Sequence, residues 1–312
     1  MKTLLHLLLF LPLFVASGGG EPQKNMQNNA ELSLRSLTPQ EEAVILRKAT
    51  EPAFSGKYNH HAEKGFYACK QCGAILFRSQ DKFDSSCGWP AFDHAIAGAV
   101  KRIPDADGHR TEIVCARCGG HLGHVFKGEQ LTPKNTRHCV NSIALQFLPA
   151  EQVGYAYFAG GCFWGVEYFL QQAPGILQTT VGYMGGTVSD PSYRQVCSKK
   201  TGHAEVVEVL FDRKKTNFES LARLFFEIHD PTQVNRQGPD LGDQYRSEIF
   251  YTTSAQKEVA EKLIQQLESK GFQVATRLAP APDFWEAEAY HQDYYLHKGT
   301  TPYCHAPKER FK

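Results

Sequence analysis

The sequence predicts two domains of different class, a mostly antiparallel β domain stapled by a metal site and then a mixed domain with helices layered on a sheet. Three observations carry this. The chain has 312 residues, enough for two domains that each bury a core. Four of its nine cysteines form two C-x-x-C pairs within the first half. Near residue 150 the rhythm changes from short strands between turns to strands alternating with helical spacing. A hydrophobic content of 42% and a charged content of 21% are ordinary for a globular chain. A net charge of +1 without a basic stripe argues against a nucleic-acid partner.

The elements follow in order. Lys2, the apolar run Leu4 to Val15 and the small residues Val15-Ala16-Ser17 read as a signal peptide over residues 1–17. The run is shorter than the roughly 20 residues a spanning helix needs, so no stable membrane insertion is expected after cleavage. A buried N-terminal helix is the alternative reading. No cysteine precedes Cys69, which argues against lipid attachment through an N-terminal cysteine. The chain is expected to be exported, periplasmic or secreted, with residues 18–35 as a polar linker.

Thr38-Pro39-Gln40-Glu41 opens a helix, with Thr38 as N-cap, Pro39 in the first turn and Glu41 completing a capping box. Strands are expected at Gly65–Lys70, Ala74–Phe77, Thr111–Cys115, Gly123–Lys127 and Ser142–Phe147, within a first domain spanning 36–150. The second domain, 151–312, begins with a strand at Tyr155–Ala159. A helix then runs from Phe163 to near Pro174-Gly175. Strands at Leu177–Met184 and Ala204–Phe211 precede a helix marked by Phe218, Leu221, Leu224, Phe225 and Ile228. Arg246–Tyr251 is a strand, Ser254 caps a helix that Gly271 stops, and Phe272–Leu278 is a last strand.

Cys69-Lys70-Gln71-Cys72 and Cys115-Ala116-Arg117-Cys118 each precede glycine, as a tight knuckle requires. Two such turns aim four sulfurs at one ion, and four thiolates select zinc in a closed, structural site. One ion is expected, and no organic cofactor. Two local disulfides are the alternative in an oxidising compartment. The odd cysteine count leaves at least one reactive thiol in either case.

Three further stretches accompany the knuckles: Ser85-Ser86-Cys87-Gly88-Trp89-Pro90-Ala91-Phe92, Gly120-His121-Leu122-Gly123-His124-Val125-Phe126, and Arg137-His138-Cys139-Val140-Asn141-Ser142. Together they resemble the B-type methionine sulfoxide reductases over residues 36–150. The resemblance implies Cys139 as nucleophile and Cys87 as resolving thiol. Trp89, His121, His124, Arg137 and Asn141 would line the pocket. Arg137 and the histidines can favour a thiolate electrostatically, a histidine can deliver a proton, and Trp89 offers an apolar wall to a methyl group. Taken singly, His121 and His124 would be read as structural or stray metal ligands and Trp89 as a core residue.

In the second half, Gly160-Gly161-Cys162-Phe163-Trp164-Gly165 sits between a strand and a helix, where the helix start should lower the pKa of Cys162. Pro191-Ser192-Tyr193-Arg194, Gly202-His203-Ala204-Glu205, Asn235 to Asp240 and Gln244-Tyr245-Arg246-Ser247 follow. This set resembles the A-type methionine sulfoxide reductases over about residues 154–304. It implies a two-layer, ferredoxin-like α/β domain, Cys162 as nucleophile and Glu205 as proton donor. Tyr193, Asp240 and Tyr245 would hydrogen-bond the sulfoxide oxygen or a water. Phe163 and Trp164 would cradle the methyl group. Burial would keep Glu205 protonated; otherwise it would be a surface carboxylate like Glu208.

The A-type cycle would close through Cys304, in what reads as a mobile C-terminal tail, with Cys197 as competitor. A thioredoxin-like dithiol would reopen each disulfide. The paired resemblance implies reduction of both epimers of methionine sulfoxide, free or protein-bound: R by the first domain, S by the second. Two rival readings remain open. A thioredoxin-type oxidoreductase predicts redox C-x-x-C pairs without zinc. A zinc-stabilised binding module predicts that Cys139 and Cys162 are dispensable.

Overall fold

The computed structural model describes residues 34–312, so the expected signal peptide and nearly all of the linker lie outside the described residues. Helix α1 (Pro39–Ile45) starts as expected: Thr38 Oγ1 accepts from Glu41 N at 3.3 Å, and Glu41 Oε2 from Thr38 N at 2.8 Å. The first domain then builds β1 (Gly65–Cys69), β2 (Ile75–Arg78), β3 (Lys82–Phe83), β4 (Ala91–Phe92), β5 (Val100–Pro104), β6 (Thr111–Cys115), β7 (His121–Lys127), β8 (Thr136–Val140) and β9 (Leu145–Pro149). They form two antiparallel sheets, ordered β2-β1-β9 and β3-β4-β8-β7-β6-β5. The expected strand at Ser142–Phe147 begins later. Residues Ser142–Ala144 form a 3-10 turn because the Glu51 carboxylate takes the Ser142 and Ile143 N–H groups. Four strands, β3, β4, β5 and β8, went unforeseen; β3 and β4 have two residues each, and β5 is largely exposed.

The second domain runs β10 (Val153–Gly160), α2 (Phe163–Leu170), β11 (Ile176–Met184), α3 (Tyr193–Cys197), β12 (Ala204–Asp212) and α4 (Phe218–Ile228). After the hairpin β13 (Arg236–Gln237) and β14 (Asp240–Leu241) come β15 (Ser247–Tyr251), α5 (Ser254–Ser269), β16 (Arg277–Pro280), β17 (Trp285–Glu286) and α6 (Tyr294–Lys298). The main sheet is ordered β16-β15-β10-β12-β11-β17, antiparallel except for the β15/β16 pair.

Three boundaries are corrected. Helix α2 stops at Leu170, a full turn before Pro174. Thr253, not Ser254, caps α5, its hydroxyl accepting from Gln256 N at 3.2 Å. The expected strand at Phe272–Leu278 shrinks to β16, whose first residue is Arg277.

The α4 apolar stripe of Leu221, Phe225 and Phe226 buries against Phe158, Val207 and Val209. The opposite face of the sheet meets the first domain: Val153 and Leu210 join that domain's core, and the Phe66 and Tyr155 rings lie 5.8 Å apart. Strand β12 is therefore buried on both faces. Glu208, taken as a surface carboxylate, is in fact buried against the first domain. Among the described residues no helix is long and apolar enough to cross a membrane.

Candidate active site

The two knuckles share one geometry. In each, the glycine N–H four residues on bonds back to the first cysteine carbonyl, Gly73 to Cys69 at 2.9 Å and Gly119 to Cys115 at 2.8 Å. Both glycines have φ near +75°, 76° and 74°, which a residue with a Cβ rarely adopts. The four sulfurs lie within 4.8 Å of one another, with Cys69–Cys118 and Cys72–Cys115 at 3.6 Å. A tetrahedron with Zn–S of about 2.3 Å has edges of about 3.8 Å, so the donor set fits zinc. Those separations are far beyond a disulfide bond, about 2.05 Å.

In the first domain, strand pairing places Cys139 of β8 between Ala91 of β4 and His124 of β7. The Cys87 sulfur lies 3.8 Å from that of Cys139. Burial and the Cys87 thiol push Cys139 up to about 12, against the pull of Arg137. Burial also opposes ionisation of Cys87, but the Ser85 hydroxyl, at 2.9 Å, and the Trp89 and Cys139 contacts bring it below the usual thiol value. The expected electrostatic preference for a Cys139 thiolate is thus reversed in the resting pair. The Arg137 charge is already shared with Glu129, two bonds of 2.8 Å, over the Phe126 ring.

Glu51, Asp105 and Glu112, which no motif pointed to, hold this pocket in place. Trp89 Nε1 donates to the Glu51 carbonyl at 3.0 Å, and Glu51 N donates to Asn141 Oδ1 at 3.0 Å. His121 Nδ1 is held by Glu112 at 2.7 Å, which also takes Lys48, leaving His121 Nε2 buried without a protein partner. His124 pairs with Asp105 at 2.5 Å. Asn141 is a buried tether between Glu51 and Leu122, its Oδ1 accepting from the one and its Nδ2 donating to the other.

In the second domain Cys162 is the N-cap residue of α2, as expected. The helix start does pull its thiol down, through the Trp164 backbone, but the adjoining Cys304 thiol and then burial win and push it well up. Glu205, facing it from β12, is buried and accepts from Phe163 N at 3.0 Å. Burial, then the Cys162 charge, raises its carboxyl well above the usual range, as anticipated. Tyr245 and Tyr193 are half-buried and feel the Glu205 charge, behind burial. Asp240 accepts from the Tyr303 hydroxyl at 2.9 Å. Phe163 and Trp164 form one wall, with the Phe163 and Tyr193 rings roughly parallel at 6.5 Å.

Cys304 adjoins Cys162, whereas Cys197 on α3 engages Tyr193. The tail behind Cys304 is not free: buried His305 reaches Gly160 O at 2.8 Å, and Arg310 donates to Phe226 O and Glu227 O at 3.1 and 2.7 Å. Sequence reasoning also missed residues 288–294. Glu288 accepts from Tyr193 N at 2.9 Å and from the Tyr183 hydroxyl at 3.1 Å. His291 Nδ1 accepts from Trp164 Nε1 at 3.2 Å, and Tyr294 stacks on Trp164 at 3.8 Å. The aromatic density of Tyr290-His291 and Tyr294-Tyr295 was the available signal.

Residues 154–312 match the peptide methionine sulfoxide reductase family, and residues 37–149 match the SelR domain. The chain belongs to the peptide methionine sulfoxide reductases. Its second half is 46% identical over 159 residues to peptide methionine sulfoxide reductase MsrA 1 of Rhodopirellula baltica, covering 51% of this chain and 82% of that one. It is 47% identical over 150 residues to MsrA of Sulfolobus acidocaldarius, covering 48% and 85%. Among solved structures it is similar to reduced Mxr1 of Saccharomyces cerevisiae, at 35% identity and TM-score 0.48, covering 51% of this chain and 94% of that one. The protein is a methionine sulfoxide reductase with a B-type domain followed by an A-type domain.

Proposed function

We propose that the chain reduces both epimers of methionine sulfoxide, R at Cys139 and S at Cys162, and that each site closes its cycle with its own second thiol. The observation that carries this is the pairing itself: Cys87 lies 3.8 Å from Cys139, and Cys304 adjoins Cys162. At the second site the Cys162 sulfur attacks the sulfoxide sulfur while the protonated Glu205 delivers its proton to the sulfoxide oxygen. The resulting hydroxyl passes from the substrate sulfur to the Cys162 sulfur as the new S–S bond breaks. Methionine leaves as the thioether, Cys162 is left as a sulfenic acid, and the thiol proton reprotonates Glu205. The Cys304 thiol then attacks that sulfur; water leaves and a disulfide remains. A thioredoxin-like dithiol reduces it by exchange and is itself oxidised. At the first site a pocket histidine in its imidazolium form delivers the corresponding proton, His121 presenting Nε2 while Glu112 holds its Nδ1–H, and Cys87 resolves Cys139.

Supporting the ferredoxin-like reading of the second domain is its β-α-β-β-α-β core, with strands in the order β15-β10-β12-β11. Cys69, Cys72, Cys115 and Cys118 would hold one zinc ion, whose role is to lock the knuckles rather than to act on substrate. The segment Lys2 to Ser17 supports export.

The test is an assay of each epimer separately with dithiothreitol. Cys139→Ser should abolish only R reduction and Cys162→Ser only S reduction. Reduction of both epimers by either variant would show that the nucleophiles are misassigned.

A further inference from the structure

The sheet face that the second domain's helices leave open is covered by the first domain, and the polar contacts converge on one short segment. Glu208 on that face is buried and pairs with Arg78 at the end of β2, Nη2 to Oε2 2.6 Å, while the Tyr157 hydroxyl donates to Oε1 at 2.9 Å. Arg78 is the one cation that Glu208 pairs with among the described residues, and removing a buried carboxylate's partner is costly, so Arg78 is a fixed point. The same guanidinium lies 4.0 Å from Glu286 of β17, and His94 of the first domain reaches Glu286 at 3.1 Å.

Strand β17 has only two ladder positions, Tyr183↔Trp285 and Gly182↔Glu286, too few to hold an edge segment by themselves. Six residues on, the Gln292 side chain grips the Val181 backbone, its Oε1 at 2.8 Å and its Nε2 at 3.0 Å. Gly98 of the first domain packs so close that a Cβ there would meet Gln292 Cβ at 2.8 Å. The first domain therefore touches this segment near both ends. Between and just beyond those points lie Glu288, His291 and Tyr294, which position Tyr193 and Trp164.

We propose that Arg78 and His94 of the first domain are positioning residues for the second domain's active site, acting through Glu286 on the wall segment 286–294. The proposal rests on reading the Cys162 pocket as the S-epimer site. Without the Glu286 anchor the wall is free to shift, Trp164 loses its fixed orientation, and substrate binding weakens more than the chemistry does.

The experiment uses the full-length protein, with kcat and KM measured for each epimer. Wild type is compared with His94→Ala, Glu286→Gln, the double variant and Arg78→Lys, which keeps a cation for Glu208. The S-epimer KM should rise about three- to tenfold in each single variant with kcat little changed. The double variant His94→Ala/Glu286→Gln should be no worse than either single, because both act through one contact. R-epimer constants should stay at wild-type values, which also reports that the first domain is folded. An unchanged S-epimer KM, additive effects, or parallel loss of both activities would overturn the proposal. Wild type that reduces neither epimer would instead overturn the reductase reading beneath it.

Discussion

Glu205 is a carboxyl whose surroundings favour its neutral form, and its pH behaviour follows from the sign of that shift. Its folded pKa lies well above the unfolded value, about 4.3. Below that value both states hold the proton and nothing is lost. As pH rises above it the unfolded chain ionises first, so stability falls until the folded pKa is passed. In its proposed role as proton donor the same group should cost activity as pH rises through its folded pKa. Glu205→Gln keeps an acceptor for Phe163 N but has no proton to give. S-epimer kcat should fall by roughly 100- to 10,000-fold with R-epimer activity intact. Melting temperatures at pH 5 and pH 8 should differ less in the variant than in wild type. A variant with wild-type kcat would remove Glu205 from the proton-transfer step.

At the scale of elements, α2 works because its third residue, Gly165, has no side chain. Gly165 packs directly on the His305 ring, and any Cβ there would strike it. His305 anchors the segment carrying Cys304 through its bond to Gly160 O. Gly165→Ala should therefore displace the anchor at a cost of about 1–3 kcal/mol. Methionine release in the first turnover should be nearly normal, while disulfide formation with Cys304 slows; rapid-quench thiol counting separates the two. Equal slowing of both steps would mean that the glycine serves only packing. The sequence placed Gly165 after the reactive cysteine correctly, but not its partner 140 positions away, because no local pattern encodes a contact between a helix start and a C-terminal segment.

For the whole molecule, the knuckles join different sheets: Cys69 ends β1 of the three-stranded sheet and Cys115 ends β6 of the six-stranded one. A metal there staples the first domain, and Arg117, inside the second knuckle, donates to Leu177 O of the second domain at 3.0 Å. Zinc binding in such sites is worth about 10–16 kcal/mol in isolated fingers. Removing metal with a strong chelator should abolish R-epimer reduction and lower the melting temperature, and added zinc should restore both. S-epimer kcat should survive, since none of its chemical groups belongs to the knuckles. Full R activity with no bound metal would favour a metal-free reading of the four cysteines.

Short local motifs pointed to Cys139, Cys162, Cys87, Cys304 and Glu205 through their resemblance to the two reductase types, and C-x-x-C spacing pointed to the four proposed metal donors. Helix α1 with its capping box, α4 with its apolar stripe and the long strands β10 to β12 were legible for a local reason, the match between residue period and element. Tertiary structure alone decided the rest. It buried Glu208 by laying the first domain over an open sheet face, and it pinned a tail that sequence position suggested was free. It also reversed the acidity expected at Cys139, since burial and a neighbouring thiol outweigh an arginine already engaged by Glu129. Each of these depends on groups far apart in the chain, and desolvation and charge pairing act through space rather than along the sequence.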